Sequence, residues 1–147
     1  MIAIASDHIG LELKTVVIKH LDDKGLSYID YGTHTNERCD YTHYGYLASK
    51  AVATGECDKG LIFCGTGVGI SILANKVKGI RCVNCSEPYS AMLSRQHNDT
   101  NMLALGSRVV GKDFALMIID KWLSAAFEGG RHSTRVEQII EVETKRL

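Results

Sequence analysis

The chain carries no excess charge of either sign: seventeen Lys and Arg balance seventeen Asp and Glu across 147 residues. That balance argues against a general nucleic-acid-binding or membrane-binding surface, while leaving room for a small local basic pocket. No apolar run approaches the roughly 18 residues that a membrane span requires. No charged signal region is seen, since a strand-like segment follows Met1 directly, so a cytoplasmic protein is expected. Internal repeats, low-complexity tracts and linkers are absent, which leaves a single domain, 1–147, as the expectation. A domain of that size buries about 70% of its unfolded surface. The composition, 45% hydrophobic and 23% charged, is ordinary for a soluble globular protein.

Metal-ligand spacing is missing too. Six His and five Cys contain neither H-E-x-x-H nor paired C-x-x-C, so no metal is expected and no cofactor is required. Cys39, Cys57, Cys64, Cys82 and Cys85 make an odd number in a chain without a secretory signal, which points to free thiols. Cys82 and Cys85 have the spacing of a redox pair. However, Ile80 to Asn84 reads as a strand, where residues three apart face opposite ways, and the next helix starts only near Ser86-Glu87-Pro88. Buried thiols are the favoured reading there.

What is present is alternation. Strands are expected at 2–5, 28–31, 59–63, 80–84 and 102–105, and helices at about 10–23, 41–53, 68–76, 87–96 and 112–125. Short connections between alternating elements indicate βαβ units. The expected fold is α/β: one Rossmann-like three-layer domain with a five-stranded parallel sheet and helices on both faces. Gly129-Gly130 breaks the last long helix, and 131–147 forms a charged C-terminal tail helix.

In an open parallel sheet, ligands bind beyond the carboxyl ends of the strands, near a switch in strand order. This selects Ser6-Asp7-His8, Cys64 to Gly69, Ser86, and Gly106-Ser107-Arg108. Cys64-Gly65-Thr66-Gly67-Val68-Gly69 is a glycine-rich turn opening a helix. As a dinucleotide fingerprint it lacks a glycine at Ile70, and as a P-loop it lacks the terminal Gly-Lys-Ser/Thr. As an anion-stabilising turn it is well formed, and helix starts favour the thiolate form of a cysteine. Cys64 could equally be a buried thiol closing an apolar strand. Asp7 could be a helix N-cap, and His97-Asn98-Asp99-Thr100-Asn101 a polar turn. Arg131 and Arg135 share a helix face, either solvated or serving as a phosphate clamp.

The motifs are more specific together than singly. They are Ser6-Asp7-His8, Asp40-Tyr41-x-His43-Tyr44, Cys64 to Ile70, Ala74-Asn75-Lys76, Cys85 to Tyr89, Ser94 to Asn101, Leu105 to Arg108, and Gly129-Gly130-Arg131-His132. In this set and order the chain resembles the type B ribose-5-phosphate isomerases, whose wider family includes allose-6-phosphate and galactose-6-phosphate isomerases. The resemblance implies an aldose–ketose isomerase that interconverts D-ribose 5-phosphate and D-ribulose 5-phosphate. A six-carbon sugar phosphate, or non-catalytic binding of a sugar phosphate, are the alternatives.

By matching position, the resemblance implies that Cys64 removes the carbon-2 proton, while Thr66 and the amides of Gly67, Val68 and Gly69 hold the enediolate oxygen. His97 would open the furanose ring. Asp7, Tyr41, Gly65 and Asn98 would contact the sugar, and His8, Arg108, Arg131 and Arg135 the phosphate. The resemblance also implies a homodimer with sites at the interface, and admits a tetramer. A second family branch has a glutamate base at the position of Ile70 and no cysteine; here the cysteine is present. Thr42 departs from a proline common in the family, a change that bears on the fit of longer sugars.

Overall fold

The computed structural model describes residues 1–145. Its strands are β1 (Ile2–Ser6), β2 (Tyr28–Asp30), β3 (Lys59–Cys64), β4 (Cys82–Asn84) and β5 (Met102–Gly106). The helices are α1 (Leu11–Asp23), α2 (Tyr41–Ala53), α3 (Val68–Ala74), α4 (Pro88–Asn98), α5 (Lys112–Ser124) and α6 (Arg131–Thr144). All five strands form one parallel sheet in the order β2-β1-β3-β5-β4. The expected fold class is the one observed. The three central strands are covered on both faces, which is why each reads as a continuous apolar run.

The pleat sorts their side chains into two cores. Ile4, Phe63, Leu103 and Leu105 pack with Leu13, Val17, Ile118 and Trp122 on the side of α1, α4 and α5. Ala5, Ile62, Cys64 and Ala104 pack with Ala48, Val52, Ile70 and Ala74 on the side of α2 and α3. Each fully buried Leu, Ile or Phe contributes roughly 1.5–3 kcal/mol by leaving water. Buried Lys14 joins the layers at the sheet's β2 edge. Its ammonium donates to both carboxylate oxygens of Asp30 (2.6 and 2.9 Å) and to the Thr33 carbonyl (2.6 Å), anchoring the loop that follows β2.

Some boundaries differ from expectation, each for a local reason. β4 begins at Cys82 rather than Ile80, because the Arg81 amide donates to Asn101 Oδ1 at 2.8 Å. α3 ends at Ala74, short of Lys76. Asn75 follows it and turns its side chain onto edge strand β4, donating to the Cys82 carbonyl (2.9 Å) and accepting from the Cys82 amide (2.8 Å). In α4, Glu87 is the N-cap and accepts from the Ser90 amide, with Pro88 in the first turn. That helix runs past Gln96 to Asn98 and stops at Asp99, which has φ +47°. The polar run His97 to Asn101 is therefore a helix end rather than a free turn. Its Asp99 carboxylate pairs with Arg81 and Arg95, and Thr100 accepts from Trp122 Nε1. α6 packs on α4. Of the expected tail helix 131–147, and of the 1–147 domain, residues 146 and 147 lie outside the described residues.

All five cysteines are free. Burial pushes the Cys82 thiol well above its ordinary range and the Cys85 thiol up to about 11.

Candidate active site

Three strand ends meet at the carboxyl edge of the sheet. Cys64 closes β3 and is 5% exposed. After it the chain turns at Gly67, whose φ of +78° suits glycine, and the Gly67 N–H donates to Cys64 Sγ at 3.2 Å. That turn lies directly on the end of β5: a Cβ on Gly106 would stand 2.6 Å from the Thr66 backbone. Ser107 ties the strand ends together, its amide donating to the Cys64 carbonyl at 2.9 Å and its hydroxyl to the Ile9 carbonyl at 3.0 Å.

The amides of the turn are not equally free. The Val68 amide donates to Thr66 Oγ1 at 3.3 Å. The Asn84 side chain, in the orientation that satisfies both of its ends, also accepts from the Val68 amide (3.2 Å) and donates to the Ala104 carbonyl (3.1 Å). The Gly67 amide is turned to the sulfur. Among the described residues the Gly69 amide has no intramolecular acceptor. Of the three amides assigned to an enediolate, the geometry leaves Gly69 the most available, with Gly67 poised to hold negative charge on Cys64.

Around this turn stand Asp7, His8, Tyr41 and Arg108. Asp7 is buried, its amide bonded to the Phe63 carbonyl (3.2 Å) and its Oδ1 accepting from the Gly10 amide (2.8 Å). One carboxylate oxygen thus serves the turn into α1, in the manner of a cap. The Tyr41 ring lies against Gly69, where an added Cβ would come within 2.6 Å of it. His8 Nδ1 accepts from the Cys39 amide at 3.2 Å, so the neutral ring keeps its proton on Nε2. Arg108 donates its amide to the Gly65 carbonyl (3.0 Å). His8 and Arg108 line one cleft of about 360 Å³ with Ser107 and Asn36. Lys112 also lines it but is paired with Glu12 at 2.5 Å, which leaves Arg108, among the described residues, as the cleft's unpaired guanidinium, suited to a phosphate.

His97, Asn98, Arg131 and Arg135 are elsewhere. α4 leaves β4 at the carboxyl edge and returns to feed β5, so its last residues, His97 and Asn98, reach the amino edge. α5 returns the same way, bringing Glu128, Arg131 and Arg135 to that edge. There the His97 and His132 rings are stacked, with centroids 4.2 Å apart and planes 9° from parallel. Burial pushes the His132 ring below the ordinary histidine value, His97 and Arg131 adding to the effect and Glu128 opposing it. Donor atoms of His97, Glu128 and His132 lie within 4.8 Å of one another. An ion lies in the plane of each imidazole it binds, so two face-to-face rings cannot share one without unstacking.

The carboxyl-edge group thus gathers Asp7, His8, Tyr41, Gly65, Thr66, Gly67, Val68, Gly69, Cys64 and Arg108, while His97, Asn98, Arg131 and Arg135 form a second group within the same chain. Sequence reasoning missed Asn84 and Glu128. Strand parity was the available signal for Asn84: it follows Cys82 by two residues and so shares the face of Cys64. Ser86, selected by the strand-end rule, is exposed.

Comparison with known proteins gives the family. A family model described as Ribose/Galactose Isomerase matches residues 2–139. Ribose-5-phosphate isomerase B of Escherichia coli K12 is 59% identical over 145 residues, covering 99% of this chain and 97% of that protein. The structure of Clostridium thermocellum ribose-5-phosphate isomerase B superposes with a TM-score of 0.97 at 55% identity, covering 98% of this chain and 97% of the other. Mycoplasma genitalium ribose-5-phosphate isomerase B, solved with bound ribulose 5-phosphate, gives 0.94 at 39% identity, covering 99% and 97%. The chain belongs to the ribose/galactose isomerase family.

Proposed function

We propose that this chain is an aldose–ketose isomerase that interconverts D-ribose 5-phosphate and D-ribulose 5-phosphate in the cytoplasm, with Cys64 as the base. The observation that carries the reading is Cys64 itself: a shielded sulfur at a strand end, met by the Gly67 N–H at 3.2 Å and set beside the cleft that His8 and Arg108 line. Isomerisation needs a base to move a proton between neighbouring carbons and donors for the oxyanion that forms. Cys64 takes the proton from carbon 2 of the open aldose and returns it to carbon 1. Thr66 and the free Gly69 amide face the enediolate oxygen, Asp7 and Tyr41 hold sugar hydroxyls, and His8 and Arg108 grip the phosphate.

The division of the residues between two edges supports a homodimer in which each site is shared. His97 then opens the furanose on the Cys64 face of a partner, Asn98 contacts the same sugar, and Arg131 and Arg135 complete the phosphate clamp. Holding the phosphate fixes the reacting carbons and lowers the entropic barrier.

The test is turnover of ribose 5-phosphate by the wild-type protein and by Cys64→Ala, compared with six-carbon sugar phosphates. Cys64→Ala is expected to lose activity by at least about 100-fold, the lower range of a general base, with its fold retained. Near-normal activity in that variant defeats the base assignment, and a higher kcat/KM on a hexose phosphate defeats the pentose assignment.

A further inference from the structure

His97 and its neighbours form more than a lone acid. His97 Nε2 and His132 Nε2 both approach one oxygen, Glu128 Oε2, at 3.9 and 3.8 Å. These separations lie within ion-pair range and beyond a direct hydrogen bond. The acid is held in place by backbone, since the Glu128 N–H donates to the Gln96 carbonyl at 3.0 Å, one residue before His97. His132 is 8% exposed and stacks flat on His97, whose side chain is 34% exposed.

We propose that Glu128 and His132 are positioning residues for His97, with Glu128 the counter-charge of its imidazolium and the His132 ring the surface that fixes its plane. The inference rests on the isomerase reading above. Two stacked imidazolium rings would repel one another, so the pair works with one charge. Burial disfavours a charge on His132, while His97 is the more exposed ring of the two and the one within reach of a substrate. Among the described residues, the charges acting on His132 come from His97, from Arg131 and Arg135 of α6, and from Glu128, which opposes the others. Arginines suited to a phosphate disfavour a nearby imidazolium, and Glu128 offsets them.

In the ring-opening step the C1–O4 bond of the furanose breaks and its electron pair goes to O4, which takes the proton from His97. The O1 hydroxyl releases its proton to water as the carbon 1 aldehyde forms, and His97 regains a proton from solvent. Ribulose 5-phosphate needs no such step, because its carbon 5 oxygen carries the phosphate and cannot close a furanose.

The experiment compares Glu128→Gln, Glu128→Asp, His132→Asn and His97→Asn in the full-length protein. One readout is kcat/KM for ribose 5-phosphate across pH. The other is deuterium exchange from solvent into carbon 1 of ribulose 5-phosphate, followed by NMR. Glu128→Gln is expected to lower kcat/KM roughly fivefold, the factor a partly exposed charge pair supplies, and to move its alkaline limb to lower pH. Exchange falls far less, Glu128→Asp recovers most of the loss, and His132→Asn shows the same imbalance between the two readouts. Equal losses in turnover and exchange, or a wild-type pH profile in Glu128→Gln, overturn the proposal. If His97→Asn keeps full turnover, the role of His97 fails first, a result separable from a failure at Glu128 alone.

Discussion

Subunit complementation tests the shared site directly. α4 starts at Pro88, and at about 1.5 Å per residue it places His97 roughly 14 Å along the helix from the sheet edge where Cys64 lies. Proton transfer requires heavy atoms within about 3 Å, so no side-chain rotation joins the two groups in one chain. Cys64→Ala and His97→Asn subunits, each inactive alone, are co-expressed with different tags and the mixed dimer is isolated by both tags. One of its sites combines an intact Cys64 with an intact His97, and the other carries both changes. The mixed dimer is expected to show about half of wild-type turnover, and an unfractionated equal mixture about one quarter, because random pairing makes roughly half the dimers mixed. The assay is conversion of ribose 5-phosphate to ribulose 5-phosphate. A mixed dimer no more active than its parents refutes the arrangement.

Other consequences follow from individual contacts. Gly106→Ala pushes a methyl group to within 2.6 Å of the Thr66 backbone, and the displaced turn is expected to lower kcat about 100-fold, measured beside an unfolding curve to show the fold persists. Lys14→Ala leaves the part-buried Asp30 carboxylate with only the Gly32 amide and His34, and the Thr33 carbonyl without its Lys14 donor; urea denaturation is expected to show a loss of about 2 kcal/mol. The His132 ring sits below its ordinary value of 6.5, so the unfolded chain takes up that proton first as pH falls. Its contribution to stability is therefore complete above about 6.5 and declines as pH drops towards the folded value. Chemical denaturation of His132→Asn between those limits is expected to depend less on pH than that of the wild type.

The elements easiest to read were those whose identity is set by the local pattern. β1, β3 and β5 are buried on both faces, so their composition announces them, and α1 and α5 show an apolar stripe that needs no partner to be recognised. The strand order was not legible, since it depends on which crossover passes which face. β4 was read too long because Ile80 and Arg81 look like strand residues, while the Asn101 side chain that takes the Arg81 amide lies twenty positions away. At the site, Cys64 and its glycines are contiguous and were found together. Glu128 was invisible because its partners, His97 and His132, meet only when α6 folds onto α4. Separation of the two groups of site residues is likewise a property of chain direction, which motif spacing does not encode.

The Asn75 side chain, bonded to both the amide and the carbonyl of Cys82, limits what the β4 edge of the sheet can accept from another polypeptide. Backbone pairing at a sheet edge is blind to sequence, because every polypeptide offers the same groups. With the outward pair of Cys82 already taken, that route to association is closed at β4. A foreign strand that pairs with β4 there must first displace Asn75.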